Sequence, residues 1–190
     1  NLTERMEDMK TTEAWVLPAG DEPDSAFAIR KITLPDLGDL DVLVRPIVGC
    51  WEGNIGHAID RDPVDIVKQR GERQVVLGNS GVVEVMEVGD SVSLVKPGDK
   101  CMLAPFGVVD QYGYVEQVHA YDKPGTMGIM AREAVLPEST LVKIPENSAY
   151  DLRHWASAGR YWSSFNNWKV AKACWLSQMS MDADRPPFVV

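Results

Sequence analysis

The chain has 190 residues, 45% of them hydrophobic and 25% charged, enough for one core and a small appendage. A net charge of -9 without any basic run excludes a general binder of nucleic-acid backbones, which needs clustered Lys and Arg against phosphate. No apolar stretch approaches the length of a bilayer span and the N-terminus has no apolar signal core, so no membrane partner is expected and cytoplasmic placement follows by default.

Residues 1–13, with Glu4, Arg5, Glu7, Asp8 and Lys10 and little apolar periodicity, read as a flexible leader. From Ala14 the pattern is one of short strands separated by turn residues: Ala14-Trp15-Val16-Leu17 before Pro18, Phe27-Ala28-Ile29 before Arg30, and Asp41-Val42-Leu43-Val44 before Pro46. Short strands at close spacing predict a barrel or sandwich. The stretch from His57 to Lys68 predicts a broken helical excursion, with Asp62 and Pro63 either capping a second short helix or turning the chain. From Val75 to Asp90 strand periodicity sets Val83 and Val85 against Val82, Glu84 and Met86. Gly78 and Gly81 there permit a bulge or a close backbone approach.

Lys96-Pro97-Gly98-Asp99 is a turn signal, and a strand over Cys101–Ala104 follows it. Residues 105–128, rich in Gly, Tyr and Asp, predict a long functional loop. Ala131–Leu136 and Leu141–Ile144 are further predicted strands. Beyond Tyr150 the apolar residues Leu152, Trp155, Ala156, Tyr161, Trp162 and Phe165 recur at helical spacing. One or two amphipathic helices are therefore expected across 151–181, followed by a linker from Asp182 to Pro187 and a new apolar strand. Three scattered cysteines, Cys50, Cys101 and Cys174, suit reduced thiols better than a disulfide framework, and none shows the C-x-x-C spacing of a structural zinc site.

The order Val76-Leu77-Gly78-x-x-Gly81-Val82-Val83, Glu87-Val88-Gly89 and Lys96-Pro97-Gly98-Asp99 resembles the medium-chain dehydrogenase/reductase family. Ala131 to Pro137 and Leu141-Val142-Lys143-Ile144-Pro145 extend the resemblance, which runs from about residue 12 to 176. It implies a mainly β fold with peripheral helices, a GroES-like partly open β-barrel over 14–150, here without the family's Rossmann domain. Interdomain helices would fill 151–181, and 182–190 would open the truncated second domain. No G-x-G-x-x-G occurs, so the resemblance implies NADP or NAD in a full-length enzyme and none bound by this piece.

Family members that use zinc present a Cys in a G-x-C-x-x-D segment and a His-Glu pair after the Leu-Gly. Here Asn79-Ser80 occupy the pair, while the Cys position falls on Cys50 or, if aligned from Gly49, on Trp51, with Asn54 in place of the Asp. Amide and hydroxyl groups are poor zinc ligands. No zinc is therefore expected, which groups the chain with the branches that reduce an activated alkene or carbonyl of a small-molecule or acyl-thioester substrate.

The same resemblance makes His57 a candidate proton donor or oxyanion partner, against an exposed helix-start histidine, and Glu52 a second acid/base group, against a solvated loop carboxylate. Asn54 completes the candidate catalytic set. Asn79, Ser80, Trp51, Tyr112 and Tyr161 are candidate substrate-binding residues, though Asn79 and Ser80 serve equally as turn residues. Arg160 is a candidate for a cofactor phosphate. Expected partners are the substrate, the missing nucleotide-binding domain and a second copy in a homo-oligomer. The rival reading is a stand-alone GroES-like binding module that recognises an acyl group or carrier protein without redox chemistry.

Overall fold

The computed structural model describes residues 10–22, 24–111 and 115–158. Expectations that fall on residues 1–9 of the leader, on Tyr112, or on 159–190, including Arg160 and Tyr161, lie outside the described residues, whereas Thr11, Thr12 and Glu13 at the end of the expected leader belong to the first strand, where they pair with Thr33, Ile32 and Lys31.

Among the described residues ten strands fall into three antiparallel groups. The first contains β1 (Thr11–Pro18) between β2 (Ala28–Thr33) and β4 (Gln74–Val76). In β1 the inward positions are Thr12, Ala14 and Val16, while outward-facing Trp15 stacks on Phe27 with ring centroids 5.0 Å apart. The larger sheet runs β10 (Leu141–Lys143), β6 (Lys100–Leu103), β5 (Gly81–Val88), β3 (Asp41–Gly49) and β9 (Ala134–Pro137). Pro46 does not stop β3, because the strand bulges between Pro46 and Val48 and its pairing with β9 has already ended at Val44.

The segment from Gly128 to Arg132 stitches the two sheets together. Gly128 N–H donates to Val76 O (2.9 Å), Met130 N–H to Leu77 O (3.0 Å), Trp15 N–H to Met130 O (2.8 Å) and Arg132 N–H to Glu13 O (2.9 Å). These bonds curl the sheets into a half-open barrel around Val16, Val42, Val44, Val83, Val85, Leu103 and Leu136. The β5 alternation holds for Val83 and Val85, yet Val82 on the opposite face is buried as well. It packs with Met102, Ile144 and Ala156, because the helical residues 152–158 cover that side. No helix among the described residues is long and apolar enough to cross a membrane.

The predicted excursion is two helices, α1 (Gly53–Asp60) and α2 (Ile66–Arg70). The turn between them contains Asp62 and Pro63, but the residue that caps α2 is Asp65, whose carboxylate accepts from Val67 and Lys68 N–H at 3.1 Å each. Apolar Ile55 and Ala58 of α1 and Ile66 and Val67 of α2 pack on Leu17, Val75 and Leu77 in a second core.

The 96–99 turn forms as expected, with Asp99 N–H donating to Lys96 O at 3.0 Å. Its carboxylate is buried, accepts Lys96 N–H at 3.0 Å and pairs with Lys143 Nζ at 2.8 Å. Burial raises the Asp99 pKa, but the bonds from Lys143 and Lys96 outweigh it and hold the group below the usual carboxylate range. A carboxyl with a depressed folded pKa contributes stability above its unfolded pKa and loses it as pH falls through the folded one. Asp99→Asn should therefore be less stable than wild type by about 1–3 kcal/mol at neutral pH. The gap should close in strong acid, as urea unfolding at both conditions will read.

Residues 105–128 are not one loop but a hairpin, β7 (Phe106–Val109) and β8 (Val115–Val118), with a return segment to Gly128. His119 in that return is 1% exposed. Its Nε2–H donates to Met127 O at 2.9 Å, and Nδ1 is buried without a partner. Burial pushes the imidazole down to about 4, against the smaller upward effect of the Met127 bond. The folded state holds the ring neutral while the unfolded chain takes up a proton below the ordinary value of 6.5. Stability is consequently lost as pH falls from there towards 4, on the order of 3 kcal/mol. His119→Gln should flatten that slope in urea midpoints measured across the window.

Candidate functional site

Two segments distant in sequence meet at the end of the β3–β5 ladder. Gly49 pairs with Gly81, and Cys50 N–H donates to Ser80 O at 3.0 Å. The approach requires glycine: a Cβ on Gly81 would lie 2.3 Å from Val48 O and 3.1 Å from Gly49 Cα. The floor so formed carries Cys50, Trp51 and Glu52 on one side and Asn79 and Ser80 on the other. Helix α1 rises from Glu52, its N-terminal flanking residue, whose carbonyl accepts Ile55 N–H at 3.0 Å.

Each candidate among the described residues has a definite place. Asn79 and Ser80 are buried. The Ser80 hydroxyl donates to Ala156 O at 3.2 Å, so its proton is committed inside the fold. Glu52 is buried too, where the sequence left open a solvated carboxylate. Asn54 stands in the first turn of α1, with Oδ1 buried and unpartnered. Trp51 is 67% exposed, a broad apolar ring beside the floor. His57 lies in the last turn of α1, not at a helix start, but it is exposed as the rival reading had it, and its Nδ1 is 3.1 Å from Asp62 O. A carbonyl accepts only from N–H, so in the neutral ring Nδ1 carries the proton and Nε2 carries the free lone pair. The site residues thus gather from β3, the Gly78–Gly81 link and α1, with His57 set one turn further along the helix than Asn54.

Donor chemistry at the floor suits metal poorly: a half-buried thiol at Cys50, an amide at Asn79 and a hydroxyl at Ser80 already turned towards Ala156. Among the described residues no group of three or more His, Cys, Asp or Glu side chains could hold a metal ion.

Sequence reasoning missed the clamp that holds α2 against the return segment. Arg70, its side chain fully buried, forks onto Glu72 at 3.0 Å and donates to Thr126 O at 2.6 Å and Tyr121 O at 3.4 Å. Glu72 also accepts Gly125 N–H at 2.7 Å. An Arg at a helix C-terminus followed by Gly reads from sequence as a solvated cap, and nothing local announces burial.

A half-open antiparallel barrel with a short helix springing from a glycine-paired seam defines a GroES-like domain of the dehydrogenase type. Residues 48–146, which contain that seam and helix, match the alcohol dehydrogenase GroES-like domain, and the chain belongs to this family. Sorbitol dehydrogenases 2 and 1 of Saccharomyces cerevisiae are each 33% identical to it over 86 residues, 40% of this chain and 24% of theirs. The chain therefore spans only a minor part of these curated relatives. Among solved structures, crotonyl-CoA carboxylase/reductase AntE in complex with NADP superposes with a TM-score of 0.60 at 21% identity, over 74% of this chain and 38% of that one. The 2-octenoyl-CoA carboxylase reductase CinF with NADP and 2-octenoyl-CoA gives 0.58 at 19%, over 73% and 38%. The quinone oxidoreductase from Coxiella burnetii gives 0.54 at 16%, over 75% and 40%. At these identities the likeness is one of fold.

Proposed function

We propose that the chain is the substrate-binding part of a zinc-independent NAD(P)H-dependent oxidoreductase that reduces an activated alkene or carbonyl. The observation that carries this reading is the floor itself, where Ser80 meets Cys50 and, among the described residues, no group of three or more His, Cys, Asp or Glu side chains gathers to hold a metal. Fold neighbours that bind NADP and an enoyl thioester support the substrate class, and the nucleotide would be held by a further domain of the same enzyme.

The reduced nicotinamide, when bound, supplies the hydride. The residues of this chain bind and orient the acceptor. With the Ser80 proton committed to Ala156 O, the neutral donor left on that side of the floor is the Asn79 amide, fit to hydrogen-bond a carbonyl oxygen as charge develops on it. Nε2 of His57, once it has taken a proton from solvent, is the atom fit to deliver it to the reduced product, and the Trp51 ring gives an apolar wall for a planar conjugated group.

The test is NADPH and NADH oxidation by the purified full-length protein against enones, enoyl thioesters and aldehydes, with metal analysis of the same sample. Turnover that survives a chelator in a zinc-free preparation is expected. Stoichiometric zinc, or no hydride transfer to any of the three classes, would defeat the reading.

A further inference from the structure

Of the two residues that the resemblance sets at the family's metal-binding pair, Ser80 is the one whose partners the fold fixes. Ser80 uses both ends of its polar equipment inside the fold: its carbonyl accepts Cys50 N–H at 3.0 Å, and its hydroxyl donates to Ala156 O at 3.2 Å. Ala156 belongs to the helical residues 152–158 and is buried against Val82, Met102 and Ile144, with Cys50, Leu152 and Trp155 packed around them. Asp151 holds the start of this helix by accepting Arg153 N–H at 2.9 Å and His154 N–H at 3.2 Å. Trp155 Nε1–H donates to Ser148 Oγ at 2.8 Å. The helix is thus fixed at its beginning by its own cap, whereas Ser80 reaches it further along. The link spans 76 positions of sequence and is buried at both ends.

We infer that Ser80 is a positioning residue: its hydroxyl ties the floor of the substrate site to helix 152–158, so this helix keeps a set orientation to the bound substrate. The inference rests on the function proposed above, in which the hydride donor is held by a further domain of the same enzyme. Hydride transfer demands near-contact geometry, and small misplacements cost rate steeply. Ser80 therefore acts on turnover through the helix, while affinity for the substrate rests on Asn79, Trp51 and α1.

Ser80→Ala removes the donor at nearly constant volume, and Ser80→Cys keeps the volume with a weaker donor. Three readouts separate the possibilities. In hydrogen exchange of the chain, amides of 153–158 should exchange several-fold faster in Ser80→Ala than in wild type, with Ser80→Cys between them and the 82–88 strand unchanged. In the full-length enzyme, kcat should fall in the same order. The dissociation constant of 2-octenoyl-CoA, measured without nucleotide, should stay within twofold of wild type. Weaker substrate binding with unaltered exchange at 153–158 would mean that Ser80 touches the substrate, and the inference fails. Faster exchange with unaltered kcat would leave a structural bond only, and the inference fails again. If wild type transfers no hydride at all, the proposed function is lost instead. Unaltered exchange in Ser80→Ala would then also overturn the tie to the helix.

Discussion

Arg70→Ala is expected to destabilise the domain by about 3 kcal/mol, because it strips one partner from a buried charge network. The guanidinium is fully enclosed, and its loss leaves the carbonyls of Tyr121 and Thr126 without their donor and Glu72 without its counter-charge. For a chain of this size the change amounts to roughly 6–12 °C in Tm. Arg70→Lys should recover only part of it, since an ammonium cannot fork onto Glu72 while also reaching two carbonyls. Differential scanning calorimetry of the three proteins gives the ordering. A Tm for Arg70→Ala within 2 °C or so of wild type would show the clamp to be dispensable. The effect should also be local, with faster amide exchange from Ala120 to Met127, because Ala120 N–H is held by Thr126 and Gly125 N–H by Glu72 in the same network.

Gly81→Ala is the second large effect, and it bears on the site directly. The added methyl would sit 2.3 Å from Val48 O and 2.6 Å from Ile129 Cδ1, so β3 and β5 must separate by several tenths of an ångström. Overpacking of this kind costs about 3 kcal/mol. The bond from Cys50 N–H to Ser80 O lies next along the seam and should lengthen or break, opening the floor and exposing the Cys50 thiol to a thiol-specific reagent. Gly49→Ala is the internal control. It faces Gly81 in the ladder, yet its added methyl would meet nothing within 4 Å. Gly49→Ala should keep the Tm and thiol reactivity close to wild type while Gly81→Ala loses the first and gains the second. Equal behaviour of the two variants would remove the close approach at Gly81 from the account of the site.

The contrast between these glycines bounds what was legible in the sequence. That Gly78 and Gly81 break a valine strand could be read as a bulge or a close approach, but not which backbone comes close. The identity of the partner, Val48 O, depends on β3 running past a proline that local rules treat as a stop. Likewise the period of Val83 and Val85 announced a buried face, and the burial of Val82 on the other face became visible only with helix 152–158 laid over it. His57 was recognisable as a helical residue near a candidate site. Its place in the last turn, with Nδ1 spent on Asp62 O, followed from the earlier start of α1 at Gly53, a residue of poor helix propensity that tertiary packing of Ile55 and Ala58 overrides.

On its own, the order of short apolar strands and Pro-Gly turns pointed to a barrel or sandwich, because strand period and turn chemistry are local properties written in neighbouring residues, and the resemblance carried by Val76 to Val83, Glu87 to Gly89 and Lys96 to Asp99 narrowed this to the family's barrel. Asn79 and Ser80, which the resemblance sets at the family's metal-binding pair, were equally open to reading, since that comparison needs only identity and position. What tertiary structure alone decided is which polar atoms are already satisfied. The Ser80 proton belongs to Ala156, Arg70 is enclosed by carbonyls some 50 residues away in sequence, and His119 is neutral because burial outweighs its one hydrogen bond. Burial and hydrogen-bond partners at such separations are products of the assembled core, and no local pattern of residues encodes them.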